Sequence, residues 1–470
     1  MTNVLLVTSN GAGMGHLTRQ AAIALSMGDE HQPTVFSLSL GLPLVVELGV
    51  PGEYCPSYDR PFIASRNWNS YLRDRLVAIA EETGAEAILF DGVAPYPGLA
   101  KAARELRRVA FVWLRRGMWK DTNQRSLAKG RFFDAVIEPG DLAGSDDRGP
   151  TSTLDDSRRV APISILEPLG LLPRDEARRR LGLPSDVPVA LVTLGSGRLG
   201  DVAGPGRVAV ETLLEKAGDW HIAVTRSPVA LNEVPVEIAD RIIELRGVYP
   251  LAAYLQAFDA AVSSAGYNAV HELIPAGVPT LLVANTSTRT DDQPARAASL
   301  ERQGLAIAVD DRDFDGVARE MGRLLDQRGP LGARAGETLE LMTGASETGS
   351  AVADLGDRFV YRRRTPTELV DVQIENAKNL VRGVLGEART ERLKQMLGRR
   401  PTPVHERATV EIADAVGDST PDRLQLAVVR SVAGDHLRLD QPIEHVLAGA
   451  SDGYAALRQE IIDRYYDVVP

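Results

Sequence analysis

Short apolar runs alternate with helical patterns along the first third of the chain. The runs at 4–8, 34–39, 87–90, 109–113 and 135–138 have the length of buried strands. Between them, residues 17–27, 68–82 and 99–106 repeat apolar side chains every three or four positions, the spacing of an amphipathic helix. This strand–helix alternation predicts a parallel, doubly wound α/β sheet, which we expect to form an N-terminal domain over residues 1–160.

The same alternation returns after a polar stretch and a proline-spaced connector. Strands are predicted at 189–194, 221–224, 242–246, 260–263, 280–283 and 305–309, with helices at 208–217, 251–257 and 313–325. We therefore expect a linker at 161–187, with a short helix near 172–184, and a second Rossmann-like domain at 188–355. From about Gly349 the pattern changes, and residues 356–470, with a helix at 365–397, are predicted to form a mainly helical extension of unknown role.

Composition limits the classes of protein to which the chain can belong. The net charge of −11 over 470 residues argues against general nucleic-acid binding. A single cysteine, Cys55, excludes internal disulfides and cysteine-rich metal sites. No apolar run reaches membrane-spanning length, and the opening residues lack a signal-peptide pattern, so we expect a cytoplasmic protein in which peripheral membrane contact stays open.

Small and polar residues gather just after the strand predicted at 260–263. Ser264, Gly266 and Asn268 stand where a helix should begin, and free backbone amides at the positive end of a helix suit a phosphate or diphosphate. About one turn later, Glu272 offers a carboxylate that could hold the two neighbouring hydroxyls of a ribose. Beyond the next strand, residues 292–293 add an Asp-Gln pair that can read sugar hydroxyls, and the segment outlines a nucleotide-sugar site.

This segment resembles the donor-binding signature of the GT-B glycosyltransferases. The residues that agree in order are Gly266, Asn268, Glu272, Gly277, Val278, Pro279, Asp292 and Gln293. Tyr267 stands where the UDP-glycosyltransferases have tryptophan, and Ser264 replaces their histidine. The serine is similar to the bacterial enzymes that add N-acetylglucosamine to the peptidoglycan lipid precursor. The resemblance covers about residues 1–355 and implies a cleft between the two domains.

A glycine-rich loop follows the first predicted strand. Gly11, Gly13 and Gly15 let a ligand approach the backbone closely, but a dinucleotide fingerprint would need its third glycine at position 16, which is His16. An NAD site is therefore not expected. The loop resembles the Gly-His loop of GT-B enzymes, and the resemblance implies that Gly13 and Gly15 lie under the donor diphosphate.

His16 and Asp91 are the candidate catalytic residues. A histidine titrates near neutral pH, which suits a general base for an acceptor hydroxyl, and the resemblance gives the loop histidine that role, oriented by an aspartate. Asp91 ends a predicted parallel strand, at the edge where such sheets keep their sites. The alternatives are that a nearby carboxylate is the base, that His16 only contacts phosphate from a helix start, and that Asp91 caps the helix that follows it.

The second domain opens with another small-residue turn. Ser196 and Gly197 follow its first strand and could present a hydroxyl and amides to a phosphate, as the resemblance also implies. Val248 lies in a segment similar to the one whose backbone contacts the base in this fold. The acidic run at 310–315 contains an Asp-x-Asp spacing, but we interpret it as a surface helix cap, and no metal or cofactor is expected.

Residues 113–120 combine two tryptophans with three cations after a predicted strand. On the acceptor side they would suit sugar stacking, an anionic acceptor or a lipid-linked acceptor, and an ordinary loop over core aromatics is the alternative. The whole pattern predicts a bacterial-type, metal-independent, inverting glycosyltransferase (a hexosyltransferase) that uses a nucleoside diphosphate sugar, most simply UDP-linked. A natural product, a polysaccharide or a lipid could be the acceptor. Two other hypotheses are a UDP-N-acetylglucosamine 2-epimerase and a non-catalytic partner that binds a nucleotide sugar.

Overall fold

The computed structural model describes residues 1–9, 14–39, 41–55, 57, 65–195, 202–226, 234 and 240–362. Three predicted donor-site residues, Gly13, Ser196 and Gly197, lie outside the described residues, as does the helix expected at 365–397. The structure describes residues 356–362 of the predicted C-terminal extension.

The first unit is built on a parallel sheet. In chain order its described strands are β1 (Thr2–Thr8), β2 (His31–Ser37), β3 (Gly52–Tyr54), β4 (Ala87–Asp91), β5 (Ala110–Leu114), β6 (Ala135–Pro139) and β7 (Arg158–Val160). The helices are α1 (Gly15–Ser26), α2 (Leu42–Val46), α3 (Ser65–Thr83) and α4 (Pro97–Glu105), and Asp121–Phe132 is 3-10 helical. The strand order β3-β2-β1-β4-β5-β6-β7 is doubly wound, as the alternating pattern predicts.

A connector leads to the second sheet. It contains α5 (Leu166–Leu169) and α6 (Arg174–Leu181), and α6 is the helix expected there. The strands that follow are β8 (Val189–Thr193), β9 (His221–Arg226), β10 (Ile242–Arg246), β11 (Ala260–Ser264), β12 (Thr280–Ala284) and β13 (Ile307–Asp310), in the order β10-β9-β8-β11-β12-β13. The helices are α7 (Ala203–Lys216), α8 (Tyr267–Leu273), α9 (Gln293–Arg302), α10 (Phe314–Gly336) and α11 (Gly344–Arg358), and Leu251–Ala257 is 3-10 helical.

Both sheets are parallel and buried on two faces. From Val4 to Val7 every residue of β1 is at most 1% exposed, because helices cover both sides of the sheet. In each sheet the strand order reverses beside the first strand of that sheet, between β1 and β4 and between β8 and β11. Ligands of doubly wound sheets bind at the carboxyl ends of the strands at such a reversal. The turns after these four strands are therefore where a ligand site is expected.

The last described helix returns to the first unit. α11 packs on α1, β1 and β4, where a Cβ added to Gly349 would lie 2.8 Å from Cγ of Met27. Oγ1 of Thr2 donates a hydrogen bond to Oδ1 of Asp357, at 2.7 Å. The boundary expected at residue 355 falls inside this helix, and the contacts of the helix associate it with the N-terminal sheet.

Candidate active site

His16 and Asp91 meet at the carboxyl edge of the first sheet. His16 is the second residue of α1, and Asp91 is the last residue of β4, which pairs with the end of β1 through Thr8. This register places the two side chains side by side, with Nδ1 of His16 2.7 Å from Oδ1 of Asp91. The alternative that Asp91 caps a helix is wrong, because α4 begins at Pro97 after Tyr96.

Arg19 completes the cluster, although the sequence interpretation did not include it. It lies three residues after His16 on the same face of α1 and is 3% exposed. Its Nε donates to Oδ2 of Asp91 at 2.9 Å and its Nη2 donates to Oδ1 at 2.8 Å, a two-pronged pairing. The i, i+3 spacing to a candidate base was the sequence signal that could have found it.

The charges of the cluster determine its protonation. Burial alone would raise the pKa of Asp91, but Arg19 and His16 outweigh burial and hold it at about 2, so the carboxylate stays ionised. Burial lowers the pKa of His16, Asp91 opposes this shift, and Arg19 adds to it. Nδ1 of His16 also lies 2.8 Å from Nη2 of Arg19. The ionised carboxylate of Asp91 favours the neutral tautomer in which Nδ1 carries the proton and donates it to Asp91. The Nε2 lone pair of His16 is then available to take a proton.

The donor-motif residues of the second unit lie opposite this cluster. Ser264 ends β11, and Gly266 precedes α8 in an extended conformation. A Cβ added to Gly266 would lie 3.8 Å from both Oγ of Ser264 and Nε2 of Gln293. A Cβ added to Gly195, which has a φ of +87°, would lie 4.0 Å from the same Oγ. The turns after β8 and β11 and the start of α9 therefore converge on one small-residue surface.

Glu272 lies half-buried on α8. Among the described residues, none forms a hydrogen bond or ion pair with its carboxylate, and burial raises its pKa to about 8. The negative charge of Glu272 adds to the burial that raises the pKa of Tyr249. Val248 precedes Tyr249 in the turn after β10 and packs partly buried against the core. A carboxyl group without polar partners among the described residues, beside this turn, is available to the hydroxyls of a ligand.

Asn268 connects the donor motif to the candidate catalytic pair, His16 and Asp91. Its Oδ1 accepts a hydrogen bond from Nη1 of Arg19 at 2.9 Å, and its Nδ2 donates to the backbone oxygen of Gly15 at 3.2 Å. Expected as a direct donor contact, Asn268 has a partner in the first unit on each amide atom. The chain of contacts Asn268–Arg19–Asp91–His16 thus joins the two units through polar side chains.

Asp292 and Gln293 stand at the start of α9. Oδ1 of Asp292 accepts from the backbone nitrogen of Ala295 at 3.2 Å, so this carboxylate caps the helix. Gln293 is 8% exposed, and its Oε1 accepts from the backbone nitrogen of Asn285 at 3.1 Å. Its Nε2 lies 3.8 Å from a Cβ added to Gly266, and a hydrogen bond from the Gln293 side chain helps to lower the pKa of Asp291.

Tyr267, which stands where the UDP-glycosyltransferases have tryptophan, joins the two units through its hydroxyl. Its hydroxyl accepts a hydrogen bond from the backbone nitrogen of Ile163 at 3.0 Å and donates one to the backbone oxygen of Gly140 at 2.8 Å. One turn later, Nε2 of His271 accepts from the backbone nitrogen of Leu142 at 3.0 Å. Burial lowers the pKa of His271 to about 4, so this histidine is a neutral structural link between the units.

The aromatic and cationic loop after β5 divides between core and cleft. Trp113 and Trp119 are 0% and 3% exposed, and their rings pack edge to face with centroids 6.2 Å apart. The hypothesis that a sugar stacks on these tryptophans is therefore wrong. Arg115 is fully buried and pairs with Asp156. Arg116 lies instead near the donor motif, with its Cζ 5.5 Å from the ring centroid of Tyr267.

The acidic run at 310–315 behaves as a local cap. Oδ1 of Asp313 accepts from the backbone nitrogen of Gly316 at 2.8 Å at the start of α10, which confirms the predicted cap. Oδ1 of Asp311 accepts from Oγ1 of Thr286 at 2.8 Å. Over the described ranges, no group of three or more His, Cys, Asp or Glu side chains could hold a metal ion. No helix in that part of the chain combines the length and apolarity of a membrane span.

Solved structures share this architecture. The crystal structure of Acinetobacter baumannii MurG superposes with a TM-score of 0.50 at 17% identity, over 75% of this chain and 100% of that chain. The chain has the GT-B fold. A putative UDP-N-acetylglucosamine 2-epimerase from Listeria monocytogenes superposes with a TM-score of 0.52 at 13% identity, over 77% and 98% of the two chains. The GT-B fold therefore accommodates more than one chemistry.

Sequence comparison adds to the fold. Residues 226–329, within the second unit of this GT-B chain, match the profile of the glycosyltransferase family 28 C-terminal domain. Two UDP-N-acetylglucosamine–N-acetylmuramyl-(pentapeptide) pyrophosphoryl-undecaprenol N-acetylglucosamine transferases are similar. The one from Acetivibrio thermocellus is 25% identical over 34% of this chain, and the one from Salinibacter ruber is 30% identical over 34%. The matches span 45% and 43% of those proteins, less than half of each.

Proposed function

We propose that this chain transfers a sugar from a uridine diphosphate-linked donor to an acceptor hydroxyl, with inversion at the anomeric carbon. The observation that carries the proposal is the 2.7 Å contact between Nδ1 of His16 and Oδ1 of Asp91, at the edge of the cleft that the donor motif faces. This pair has the geometry of a histidine base held by a carboxylate. The match of residues 226–329 to a glycosyltransferase domain supports the same reaction class.

In the proposed reaction, Nε2 of His16 takes the proton of the acceptor hydroxyl. The oxygen then attacks the anomeric carbon from the face opposite the diphosphate, the bond from that carbon to the diphosphate oxygen breaks, and UDP leaves with the electron pair. Ionised Asp91 stabilises the imidazolium that forms, and Arg19 keeps Asp91 in place through its two hydrogen bonds. A positioned base of this kind accelerates a reaction by roughly 10²–10⁴-fold.

The donor is proposed to bind the second unit. Glu272 accepts hydrogen bonds from the two ribose hydroxyls, a role supported by its lack of described polar partners. Ser264 and Gly266 hold the diphosphate, because they border the small-residue surface at the turns after β8 and β11. Nε2 of Gln293 reads the transferred sugar. Asp292 contributes chiefly by capping α9 and so fixing Gln293.

The acceptor is proposed to be lipid-linked. The names of both relatives describe transfer to an undecaprenol-linked acceptor. A protein with this role would act at the cytoplasmic face of a bacterial membrane and bind to it peripherally. We also propose that the reaction needs no metal ion, so that turnover should survive chelation with EDTA.

A screen of donor hydrolysis tests the proposed function. The protein is incubated with UDP-N-acetylglucosamine, UDP-glucose and a set of dTDP-sugars, and released nucleotide and free sugar are measured by mass spectrometry. The proposal predicts slow release of UDP from at least one UDP-sugar. Conversion of UDP-N-acetylglucosamine without an acceptor to its 2-epimer, which has the same mass and is resolved by NMR, would instead establish the epimerase. Nucleotide binding with no turnover of any donor would establish the non-catalytic partner.

A further inference from the structure

Three arginines lie around the donor motif in the described part of the chain, and two of them are well paired. Arg19 donates to Asp91 and to Asn268. Arg296 donates from Nε to Asp141 at 2.9 Å and from Nη2 to Asp291 at 2.9 Å. These two side chains are 3% and 0% exposed, and their hydrogen bonds offset the cost of burying a cation.

Arg116 is the third, and its pairing is much weaker. Its Nη1 lies 3.5 Å from Oδ1 of Asp291, beyond the usual length of a charged hydrogen bond, and Arg296 already holds that carboxylate oxygen at 2.9 Å. The side chain is nevertheless only 15% exposed. Five N–H donors on a largely buried guanidinium therefore have few acceptors among the described residues.

The position of Arg116 directs these donors at the donor motif. Arg116 follows β5 at the carboxyl edge of the first sheet, the edge at which Asp91 ends β4. Its Cζ lies 5.5 Å from the ring centroid of Tyr267, the residue after Gly266, and Cζ of Arg19 lies 5.2 Å from the same centroid. The positive charge of Arg116 also lies close enough to His16 to contribute to lowering the pKa of His16.

We propose that Arg116 binds a phosphate group of the ligand in the cleft, from the first unit and opposite the donor motif. The inference rests on the proposed function in that the cleft receives a nucleoside diphosphate sugar. A guanidinium matches phosphate oxygens with paired hydrogen bonds, and a diphosphate would supply the acceptors that Asp291 does not. Burial lowers the pKa of Arg116, Asp291 opposes this shift, and Arg19 and Arg296 add to it.

Two sources of that phosphate share this chemistry. One is the diphosphate of the donor, and the other is a phosphate carried by a lipid-linked acceptor. In both cases Arg116 brings a cation beside the reacting centre without touching the anomeric carbon. It would draw the first unit towards the second when the anion is present, in addition to the direct contacts between the units.

Titration calorimetry with Arg116→Met tests the inference. Asp291 keeps its pairing with Arg296 in this variant, so the fold should hold, and circular dichroism and thermal melting check that it does. The probes are UDP, UMP and uridine for the donor, and geranyl diphosphate for a lipid diphosphate. Arg125→Met is the matched control, because Arg125 is an exposed arginine nine positions further along the same segment.

If the phosphate belongs to the donor, UDP binding should weaken roughly ten- to a hundredfold in Arg116→Met, while uridine binding stays unchanged. Arg116→Lys should recover part of the loss, because it restores the charge but not the paired donors. Loss confined to geranyl diphosphate would assign the same anion site to the acceptor. Unchanged binding of both diphosphates would overturn the inference and leave the proposed function standing. Failure of the wild-type protein to bind any diphosphate would overturn both.

Discussion

Arg19 donates a hydrogen bond from Nη1 to Oδ1 of Asn268 across the two units, at 2.9 Å. The other two nitrogens of the same guanidinium donate hydrogen bonds to Asp91. The side chain that orients the proposed base is thus itself held by the donor motif. Binding of a donor to the second unit and alignment of the base in the first unit are thereby linked through one arginine.

Asn268→Ala should therefore impair turnover more than donor binding. The loss of a hydrogen bond to a charged group costs about 1.5–3 kcal/mol, which corresponds to roughly ten- to a hundredfold. We expect this loss in donor hydrolysis at saturating donor, with UDP affinity changed by less than about threefold. Asn123→Ala is the control, because Nδ2 of Asn123 also donates between the units, to Oγ1 of Thr290 at 3.0 Å, away from the catalytic pair. Weakened UDP binding with normal turnover would instead make Asn268 a direct donor contact.

Arg19 should set the pH at which the base becomes active. The guanidinium helps to lower the pKa of His16, and a base works only when it is unprotonated. In Arg19→Met the pKa of His16 should rise, so the acid limb of the pH–rate profile should move to higher pH. Arg19→Lys keeps the charge and should leave the limb near its wild-type position.

The control for Arg19 is Arg302→Met. Nη2 of Arg302 makes an exposed ion pair with Asp146 at 2.7 Å, between the units but remote from His16. Its profile should match that of the wild type. A purely structural role for Arg19 would lower the rate at every pH without moving the limb, and that result would contradict the account.

The catalytic pair was accessible to sequence reasoning because it depends on local signals. His16 stands in a glycine-rich turn, Asp91 ends an apolar run, and parallel strands bring such positions to one edge. Arg19 is marked only by its i, i+3 spacing to His16, and Arg116 carries no motif, because which of several arginines faces a cleft depends on how the two units meet. The turn after β5 directs Arg116 into the cleft and Arg115 into the core.

The predicted elements succeeded where strands are apolar and failed where they are short or charged. β1, β4 and β5 were found because helices bury both faces of each strand and select apolar residues. β3 has three residues and includes Glu53, and β7 begins with two arginines at the edge of the sheet. Hydrophobic periodicity gives no signal for such strands. The return of α11 to the first unit is a tertiary contact that its own pattern does not contain.

Glu272→Gln should weaken UDP binding through the ribose. Replacing a carboxylate that accepts two hydroxyl hydrogen bonds should reduce UDP affinity roughly ten- to a hundredfold at pH 9, where the wild-type side chain is ionised. Uridine should lose affinity by the same factor, because it retains the ribose. Glu301→Gln, which removes a carboxylate that pairs with Arg323 on the surface, should bind both ligands normally. A folded Glu272→Gln protein with unchanged UDP affinity would refute the assignment of the ribose site.

The same residue should impose a pH dependence on stability. Burial raises the pKa of Glu272 in the folded protein from 4.5 to about 8, so the folded state holds this proton more tightly than the unfolded state. Its stabilising contribution is complete below about pH 4.5 and is lost as the pH rises through 8. Glu272→Gln removes this loss. The free energy of unfolding in urea is measured for the variant and the wild type at both pH values. The variant's value minus that of the wild type should be larger at pH 8.5 than at pH 5, by on the order of 1–3 kcal/mol. An equal difference at both pH values would show that the carboxyl titrates normally.

The role of His16 is the central claim. In His16→Ala the acceptor or water oxygen must lose its proton without a positioned base, so turnover should fall roughly 10²–10⁴-fold. UDP binding should stay the same, because the proposed mechanism gives His16 no contact with UDP. His31→Gln is a suitable control, since His31 begins β2 at the opposite edge of the same sheet.

The most direct test is the rate of UDP release from the best donor of the hydrolysis screen, measured at saturating donor beside the UDP affinity of the same His16→Ala sample. The account predicts a rate at least about a hundredfold below wild type with UDP affinity unchanged. A near wild-type rate with weakened UDP binding would contradict it and make His16 a phosphate contact.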